Sequence, residues 1–517
     1  MSQTPRRLTS ARTYAISGCP MSPTRHQLRH PGDESADPPS RLQGCGRSDC
    51  PTRSVDVLPI TRLCMADVVM PLLGSRIRME VSTFAGKTVH EGMVLPSTGE
   101  GHVTLKLANG YNVSHPLTEV SSLEELSPPV ESSSTSTPEV EFDQSLSLVR
   151  IIHTGGTIAS KVDYATGAVV ARFEPEEMLA AFPEMASIAR IEAVKIGNMW
   201  SDDMRPQHWN QISSAIVDAF ADGATGVVIT QGTDTMHFTS AAISYMWAGN
   251  GQRPPGRIVL TGSQRSSDRG STDAAENLMA AVYWAAHGPL PDGGLGDTAV
   301  IVMHSSSDDG SCVVLPGCAV RKSHSSRRDA FRCVNSQPIA YVSNSHGEMS
   351  HQIMGHYKPS YSRDITNSPT SINESLRICQ LLAGPHLHAD VISALSGLDY
   401  DALFIHGTGL GHLPIEDAMG DAPENIALHK AIGEWCSSGR IAVVSTQCID
   451  GPVNLAVYSK GRAQQELGMI GHDSNTGPDS ALIKLHYLLS IHGRDFEQIK
   501  GAWNDNLMGE NPSNLQS

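Results

Sequence analysis

The stretch IIHTGGTIAS (residues 151–160) is an apolar run that ends in a turn of two threonines around two glycines. Three interpretations of this turn are open: a simple connection, a cradle for phosphate, or the seat of a nucleophile. A phosphate-binding loop needs a lysine followed by serine or threonine, and Ile158, Ala159 and Ser160 stand there instead. The turn therefore predicts either an ordinary glycine connection or a nucleophile.

Further apolar runs of strand length end in small polar residues in the same way, with helical stretches between them. They read GVVITQGTDT (226–235), RIVLTGSQRSSD (257–268), AVIVMHSSSDD (299–309), ALFIHGTGLGHLP (402–414) and IAVVSTQCIDGP (441–452). Unbroken runs of Val, Ile and Leu that alternate with helices predict an α/β fold with a parallel sheet covered on both faces. Ligands bind beyond the carboxyl ends of the strands in such sheets, so functional residues are expected there.

The N-terminal part of the chain follows other patterns. Residues 1–69 lack the apolar core of a signal peptide, and we interpret them as a disordered or mis-assigned extension. Residues 70–127 contain the alternating stretches RIRMEV (76–81) and HVTLKL (102–107), which predict a small antiparallel β-barrel domain. Residues 128–144 are rich in Pro and Ser and predict a linker.

The remaining residues predict two α/β domains. The larger domain takes residues 145–345, a crossover linker takes 346–371, and a smaller C-terminal domain takes 372–517. The predicted fold class is thus α/β, a two-domain architecture with parallel sheets preceded by a small β-barrel.

Composition excludes several functions. A net charge of −16 argues against a general nucleic-acid surface, because phosphate is bound through Lys and Arg. Ten cysteines occur without a CxxC pair, which indicates free thiols in a reducing cytoplasm rather than a zinc site or a disulfide framework. No apolar run reaches about 18 residues, so we expect no transmembrane helix. No HExxH or comparable spacing predicts a metal site.

Two further motifs supply the partners that a threonine nucleophile needs. TQGTDTM (230–236) places Thr233 and Asp234 after a strand, and VRKSHSSRRDAF (320–331) carries Lys322. A threonine hydroxyl is a poor nucleophile at neutral pH and needs a neighbouring base. A lysine held near a carboxylate and a hydroxyl can act as that base. Spacing alone leaves solvated loop residues as the alternative.

A family resemblance changes this balance. TGGTIAS, TQGTDTM, LTGSQR and RKSHSSRRDAF, in this order, resemble the signature of the L-asparaginase and glutaminase amidohydrolases, and the resemblance spans about residues 145–512. It implies that residues 145–345 form an asparaginase-like catalytic domain. HGTGLGHLP (406–414) and QCIDGPVNLAVYSKGR (447–462), together with the barrel, resemble the D-subunit branch of the archaeal glutamyl-tRNA(Gln) amidotransferases. His406 departs from the acidic residue usual in that branch.

The resemblance implies a glutaminase that hydrolyses glutamine and passes ammonia to a GatE-like partner subunit. That partner would hold most of the tRNA and would use ATP and Mg to convert Glu-tRNA(Gln) to Gln-tRNA(Gln). This chain would need no cofactor, and it would form a homodimer within a heterotetramer. A free-standing L-asparaginase is the alternative, and a catalytically silent scaffold is a third possibility.

The resemblance also assigns catalytic residues. Thr157 matches the nucleophile of the first motif and Thr233 the threonine of the second, and which of them attacks first stays open. Asp234 and Lys322 match their partners. Tyr164 matches the tyrosine of a mobile lid that polarises Thr157, although its sequence context DYATG also fits an ordinary turn.

Substrate contacts are expected in NMWSDDM (198–204). By the same resemblance, Ser201 and Asp202 align with contacts to the carboxylate and the amine of the substrate, and Asp234 would also hold the substrate ammonium. The alternative for Ser201 and Asp202 is that they cap the helix that begins near Pro206.

Overall fold

The computed structural model describes residues 70–83, 86–95, 97, 101–107, 112–128, 143–156, 158, 160–162, 169–171, 182–266, 272–345 and 348–512. The predicted extension 1–69 lies outside these residues, as does most of the predicted linker 128–144. Thr157 and Tyr164 also lie outside them.

The N-terminal part of the described chain is a small antiparallel sheet. Its strands are β1 (Arg76–Thr83), β2 (Gly86–Leu95), β3 (His102–Leu107), β4 (Asn112–Pro116) and β5 (Val120–Ser127), in the order β4-β3-β2-β1-β5. On β1, Ile77, Met79 and Val81 are fully buried, whereas Arg78 between them is exposed. The apolar side forms a core of its own. The predicted small β domain is therefore confirmed.

The strands of the next region lie between residues 148 and 353. They are β6 (Leu148–Gly155), β7 (Ser160–Val162), β8 (Val169–Ala171), β9 (Arg190–Met199), β10 (Gly226–Thr230), β11 (Arg257–Thr261), β12 (Ala299–His304), β13 (Ser311–Pro316), β14 (Val320–Lys322), β15 (Phe331–Cys333), β16 (Ala340–Ser345) and β17 (Glu348–Ile353).

An eight-stranded sheet, ordered β17-β16-β13-β12-β11-β10-β6-β9, forms the centre of this region. Strands β9, β6, β10, β11 and β12 are parallel, and β13, β16 and β17 continue the sheet antiparallel. Val227 and Ile229 of β10 point into one apolar core and Val228 points into another. Because alternate strand residues face opposite sides, the unbroken apolar run needs cover on both faces. The predicted α/β class is confirmed.

Helices supply that cover. They are α1 (Pro206–Ala221), α2 (Met236–Ala248), α3 (Ala274–His287), α4 (Ala389–Ser396), α5 (Pro423–Ser437), α6 (Ser459–Glu466), α7 (Pro478–His492) and α8 (Phe496–Trp503). Trp209 of α1 and Trp247 of α2 lie in the first core, and Leu278 and Val282 of α3 lie in the second. Among the described residues, no helix has the length and apolar character that crossing a bilayer requires.

The segment predicted as a linker, 346–371, differs from that expectation at its start. Residues Glu348–Ile353 form β17, which pairs antiparallel with β16 and extends the sheet edge. Its side chains are mostly polar and exposed, because an edge strand has one face in water. The polar sequence of this stretch therefore resembles a linker although it forms a strand.

The C-terminal domain contains a second parallel sheet, made of β18 (Ile378–Leu382), β19 (Ala402–Gly407) and β20 (Ile441–Thr446). Helix α7 packs against α2 of the larger domain. The rings of Tyr245 and Tyr487 stack with centroids 5.6 Å apart, and Tyr245 Oη lies 3.4 Å from Ser480 Oγ. The two domains therefore share one apolar core.

Helix α7 also anchors the C-terminal residues through a buried ion pair. Lys484 Nζ lies 2.9 Å from Glu510 Oε1, and both side chains are 0% exposed. The Glu510 carboxylate also accepts hydrogen bonds from the backbone N–H groups of Leu507 and Met508. The charge of each group is thus balanced inside the protein by the charge of the other.

Removing one partner of this pair should destabilise the protein strongly. Lys484→Met leaves a buried carboxylate without its cation, and we expect the free energy of unfolding in urea to fall by about 3 kcal/mol or more. The control is Lys430→Met, which removes the exposed pair with Glu434 and should change stability by less than about 0.5 kcal/mol. Equal effects of the two substitutions would contradict this account of the pair.

Candidate active site

Two glycine turns meet at the carboxyl ends of β6 and β10. Gly156 has a φ of 90°, and a Cβ added to it would lie 2.3 Å from Gly232 N. A real Cβ could not lie so close to a backbone nitrogen, so the two turns can approach this closely only because Gly156 has no side chain. Thr157, which lies outside the described residues, follows Gly156 in the sequence, and Thr233 follows Gly232. The two predicted threonine motifs therefore belong to turns in direct backbone contact.

Lys322 joins this meeting point from the β14–β15 hairpin. Its Nζ donates hydrogen bonds to Thr233 Oγ1 at 2.8 Å and to Asp234 Oδ1 at 2.7 Å. The Lys322 side chain is 9% exposed, whereas that of Asp234 is 67% exposed. Three residues predicted from two separate motifs thus form one cluster, which is buried at Lys322 and open to solvent at Asp234.

Ser201 holds the backbone beside this cluster. Its hydroxyl accepts a hydrogen bond from the Asp234 backbone N–H at 3.2 Å, and its carbonyl accepts one from Thr235 Oγ1 at 2.6 Å. Helix α1 begins at Pro206 with Arg205 as its N-cap residue, so Ser201 does not cap that helix. Asp202 lies in the same short 3₁₀ turn and is exposed.

A second group of charged and titratable residues lies behind Lys322. Asp479, in the first turn of α7, is 3.4 Å from Arg321 Nε and 3.6 Å from His237 Nε2. Burial, together with the nearby charges of Arg321 and Lys322, lowers the pKa of His237 to about 3. His237 is therefore neutral at physiological pH. Burial raises the pKa of Asp479, and the charge of Arg321 opposes that shift.

Sequence reasoning missed His237, Arg321 and Asp479. Arg321 was visible only as the neighbour of Lys322, and Asp479 only as an acid in a helical first turn. No local pattern connects residues about 160 positions apart, since helix packing alone brings α7 to the hairpin.

One group of side chains has the residue types of a metal site. Ligand atoms of Glu276, His304 and Asp309 lie within 4.8 Å of one another, and His304 Nε2 is 3.1 Å from Glu276 Oε2. The carboxylate of Asp309 forms an ion pair with Arg328. The Arg328 cation thus already neutralises one of the three potential ligands.

His406 lies in a cavity of about 470 Å³ between the two domains, which is also lined by Arg321, Gln380, Gln447 and Asp479. His406 Nε2 is 2.6 Å from Gln380 Nε2, and Gln447 Nε2 donates to the His406 carbonyl at 2.9 Å. Burial lowers the pKa of His406. This position therefore carries a neutral ring at pH 7.

Two protein families match this chain. The N-terminal asparaginase family matches residues 148–354, and the glutaminase/asparaginase C-terminal domain matches residues 377–502. The matched regions contain every described residue of the candidate site, including Ser201, Thr233 and Lys322.

Glutamyl-tRNA(Gln) amidotransferase D subunits are among the similar proteins. That of Methanococcus vannielii is 35% identical over 84% of this chain and 96% of its own length. That of Pyrococcus abyssi is 34% identical over 85% of this chain and 94% of its own length. The similarity therefore covers nearly the whole of these relatives.

Solved asparaginases share the fold. The thermostable L-asparaginase from Thermococcus kodakarensis is 28% identical with a TM-score of 0.57, over 71% of this chain and 99% of its own. A probable cytoplasmic L-asparaginase from Campylobacter jejuni is 23% identical with a TM-score of 0.54, over 69% of this chain and 99% of its own, and shows the fold alone.

The glycine contact predicts a specific sensitivity to substitution. Gly156→Ala adds a methyl group that overlaps Gly232 N, so we expect it to lower the free energy of unfolding by about 2 kcal/mol more than Gly223→Ala does. Gly223 is the matched control, because its φ of 91° is the same and nothing lies within 4 Å of an added Cβ. Urea unfolding measures both. Equal losses would show that the contact is unimportant.

The buried His237 predicts a pH-dependent stability. Its folded pKa of about 3 lies below the ordinary value of 6.5, so acid protonates the unfolded chain first and stability falls as pH drops below 6.5. Between pH 7.5 and 5 this loss is about 2 kcal/mol.

Substitution of His237 should remove that loss. We expect the fall in unfolding free energy from pH 7.5 to 5 to be about 2 kcal/mol smaller in His237→Gln than in the wild type. The exposed His386 supplies the control, since His386→Gln should keep the wild-type pH dependence. An unchanged pH dependence in His237→Gln would contradict a neutral buried ring.

Proposed function

The chain belongs to the asparaginase and glutaminase family, in the branch of the glutamyl-tRNA(Gln) amidotransferase D subunits, and on this basis we propose that it is the glutaminase subunit of such an enzyme. It hydrolyses the side-chain amide of glutamine and supplies ammonia for the conversion of Glu-tRNA(Gln) to Gln-tRNA(Gln). The observation that carries the chemistry is the Lys322 Nζ contact with both Thr233 and Asp234.

In the proposed first step a threonine, Thr157 or Thr233, attacks the amide carbon of glutamine. Lys322 in its uncharged form takes the hydroxyl proton, directly from Thr233 or through it from Thr157. The resulting ammonium pairs with the Asp234 carboxylate. The carbon–nitrogen bond then breaks, the nitrogen leaves as ammonia with that proton, and the acyl group remains as an ester on the threonine.

Water completes the reaction by hydrolysing this ester to glutamate and free threonine. Negative charge develops on the carbonyl oxygen in both steps, and backbone N–H groups of the glycine turns are suited to stabilise it. The glycines at positions 156 and 232 support this proposal, because neither adds a side chain of its own beside these N–H groups.

The α-amino acid end of glutamine binds, in this proposal, to Ser201, Asp202 and Asp234. The exposed carboxylates of Asp202 and Asp234 are accessible to a substrate ammonium. Ser201 fixes the Asp234 backbone through its hydroxyl, so the substrate contacts and the catalytic cluster are mechanically connected. Tyr164 is proposed as the lid residue that polarises Thr157.

The division of labour with a partner subunit follows from charge. A chain of net charge −16 is poorly suited to hold tRNA, so we assign the tRNA, ATP and Mg to the partner. We propose a homodimer of this chain within a heterotetramer. The described cysteines are free thiols, which supports a cytoplasmic location.

A free-standing asparaginase is the second candidate, since asparagine carries the same amide and amino acid groups. The five-stranded N-terminal sheet favours the amidotransferase subunit, because it lies outside both matched asparaginase regions and adds a module that amide hydrolysis alone does not need.

The proposal is tested by forming Gln-tRNA(Gln) with a purified partner subunit, with either glutamine or ammonium as nitrogen donor. We expect Thr157→Ala and Thr233→Ala to lower the glutamine-dependent rate by about a thousandfold or more, and Lys322→Met by at least about a hundredfold. All three variants should keep the wild-type rate with ammonium, because the partner's chemistry is untouched.

The ammonium reaction is the internal control for folding and assembly. Wild-type glutamine-dependent activity in both threonine variants would contradict the mechanism. Efficient asparagine hydrolysis by the isolated chain, without transfer of ammonia to a partner, would instead favour the asparaginase.

A further inference from the structure

The hairpin that carries Lys322 is too small to hold its own shape. Strands β14 and β15 pair over only three residues each, from Val320 opposite Cys333 to Lys322 opposite Phe331. An isolated two-stranded hairpin is marginally stable at best, so tertiary contacts must fix it. Val320 and Phe331 anchor one side in the apolar core shared by the two domains.

Arg321 anchors the other side. Adjacent strand residues point to opposite faces, so Arg321 projects away from the Thr233 side that Lys322 contacts. Its Nε lies 3.4 Å from Asp479 Oδ2. Asp479 belongs to α7 in the C-terminal domain, which itself packs against α2. Asp479 of the C-terminal domain therefore contacts Arg321 of the larger domain, which is the residue next to the proposed catalytic lysine.

The Asp479 carboxylate depends on this contact. It is only 7% exposed, and among the described residues Arg321 is the cation paired with it. The His237 ring, 3.6 Å away, is neutral and does not replace that charge. A buried carboxylate without a cation is costly, so the pair has a strong preference for staying together.

An acidic residue in a first helical turn also has an ordinary explanation, namely interaction with the helix dipole. Asp495, the N-cap residue of α8, has a related helix-terminal role, because its side chain accepts a hydrogen bond from Gln498 N. Asp479 is the second residue of α7, where Gly477 is the N-cap, and its carboxylate pairs with Arg321 rather than with the described backbone of the helix end. Asp495 therefore serves its own helix end, whereas Asp479 contacts the hairpin that carries Lys322.

We propose that Asp479 is a positioning residue for the glutaminase reaction: by holding Arg321 it holds Lys322 at hydrogen-bond distance from Thr233. The inference rests on the proposed function. It makes the C-terminal domain part of the catalytic apparatus, although that domain carries none of the residues in the Lys322 cluster.

The test is glutaminase kinetics of the full chain assembled with its partner subunit. Asp479→Asn keeps the size of the side chain and removes its charge, and we expect kcat to fall about tenfold or more, since small misplacements of a catalytic group carry large rate penalties. KM should stay within about twofold, because the Ser201 hydroxyl holds the Asp234 backbone independently of the hairpin. Asp479→Glu should recover most of the rate, and the control Asp495→Asn should keep it.

A double substitution separates positioning from a general structural effect. Arg321→Gln should lower kcat to a similar extent, and Asp479→Asn should cause no further loss in that background, because the two residues act through one contact. Independent, multiplying losses would overturn the proposal, as would an unchanged kcat in Asp479→Asn. If Asp479→Asn does not fold, an unchanged kcat in Arg321→Gln overturns it equally.

Lys322→Met, assayed in parallel, distinguishes a failure of the proposed function from a failure of the positioning role. A full rate in Lys322→Met would refute the proposed function itself. A large loss in Lys322→Met together with a full rate in Asp479→Asn would refute only the positioning role.

Discussion

The contact between Gly156 and Gly232 is the constraint on which the candidate site depends. The two turns end neighbouring parallel strands, β6 and β10, so the sheet already brings them to one edge. The absence of a side chain on Gly156 lets the two backbones meet, since an added Cβ would lie only 2.3 Å from Gly232 N. Thr233 directly follows one of these glycines in the chain, and Thr157 follows the other in the sequence.

The eight-stranded sheet does not supply the lysine of the candidate site. Lys322 comes from a hairpin that follows the antiparallel strand β13, and its hold on Thr233 depends on packing by the C-terminal domain. The site is therefore built from a rigid part, the strand ends, and a part that depends on the domain interface. In this arrangement the smaller domain helps to position Lys322, in addition to covering apolar surface.

The sequence was informative where chemistry and periodicity are local. Apolar runs such as 226–230 predicted the buried parallel strands, and the motifs around Thr233 and Lys322 predicted a cluster that the structure brings together. The pattern of edge strand β17 predicts a linker instead of a strand, because a polar strand with one face in water has the composition of a loop. The Asp479 contact could not be predicted, since packing between domains, not sequence spacing, places it beside Arg321.

Covalent labelling of the nucleophile tests the central claim most directly. A diazo-ketone analogue of glutamine, incubated with the complex and mapped by peptide mass spectrometry, should modify Thr157 or Thr233, in step with loss of glutaminase activity. Labelling should be strongly reduced in Lys322→Met, which lacks the proposed base. Inactivation with the label on another residue, such as the exposed Cys448, or labelling that is unchanged in Lys322→Met, would contradict the account.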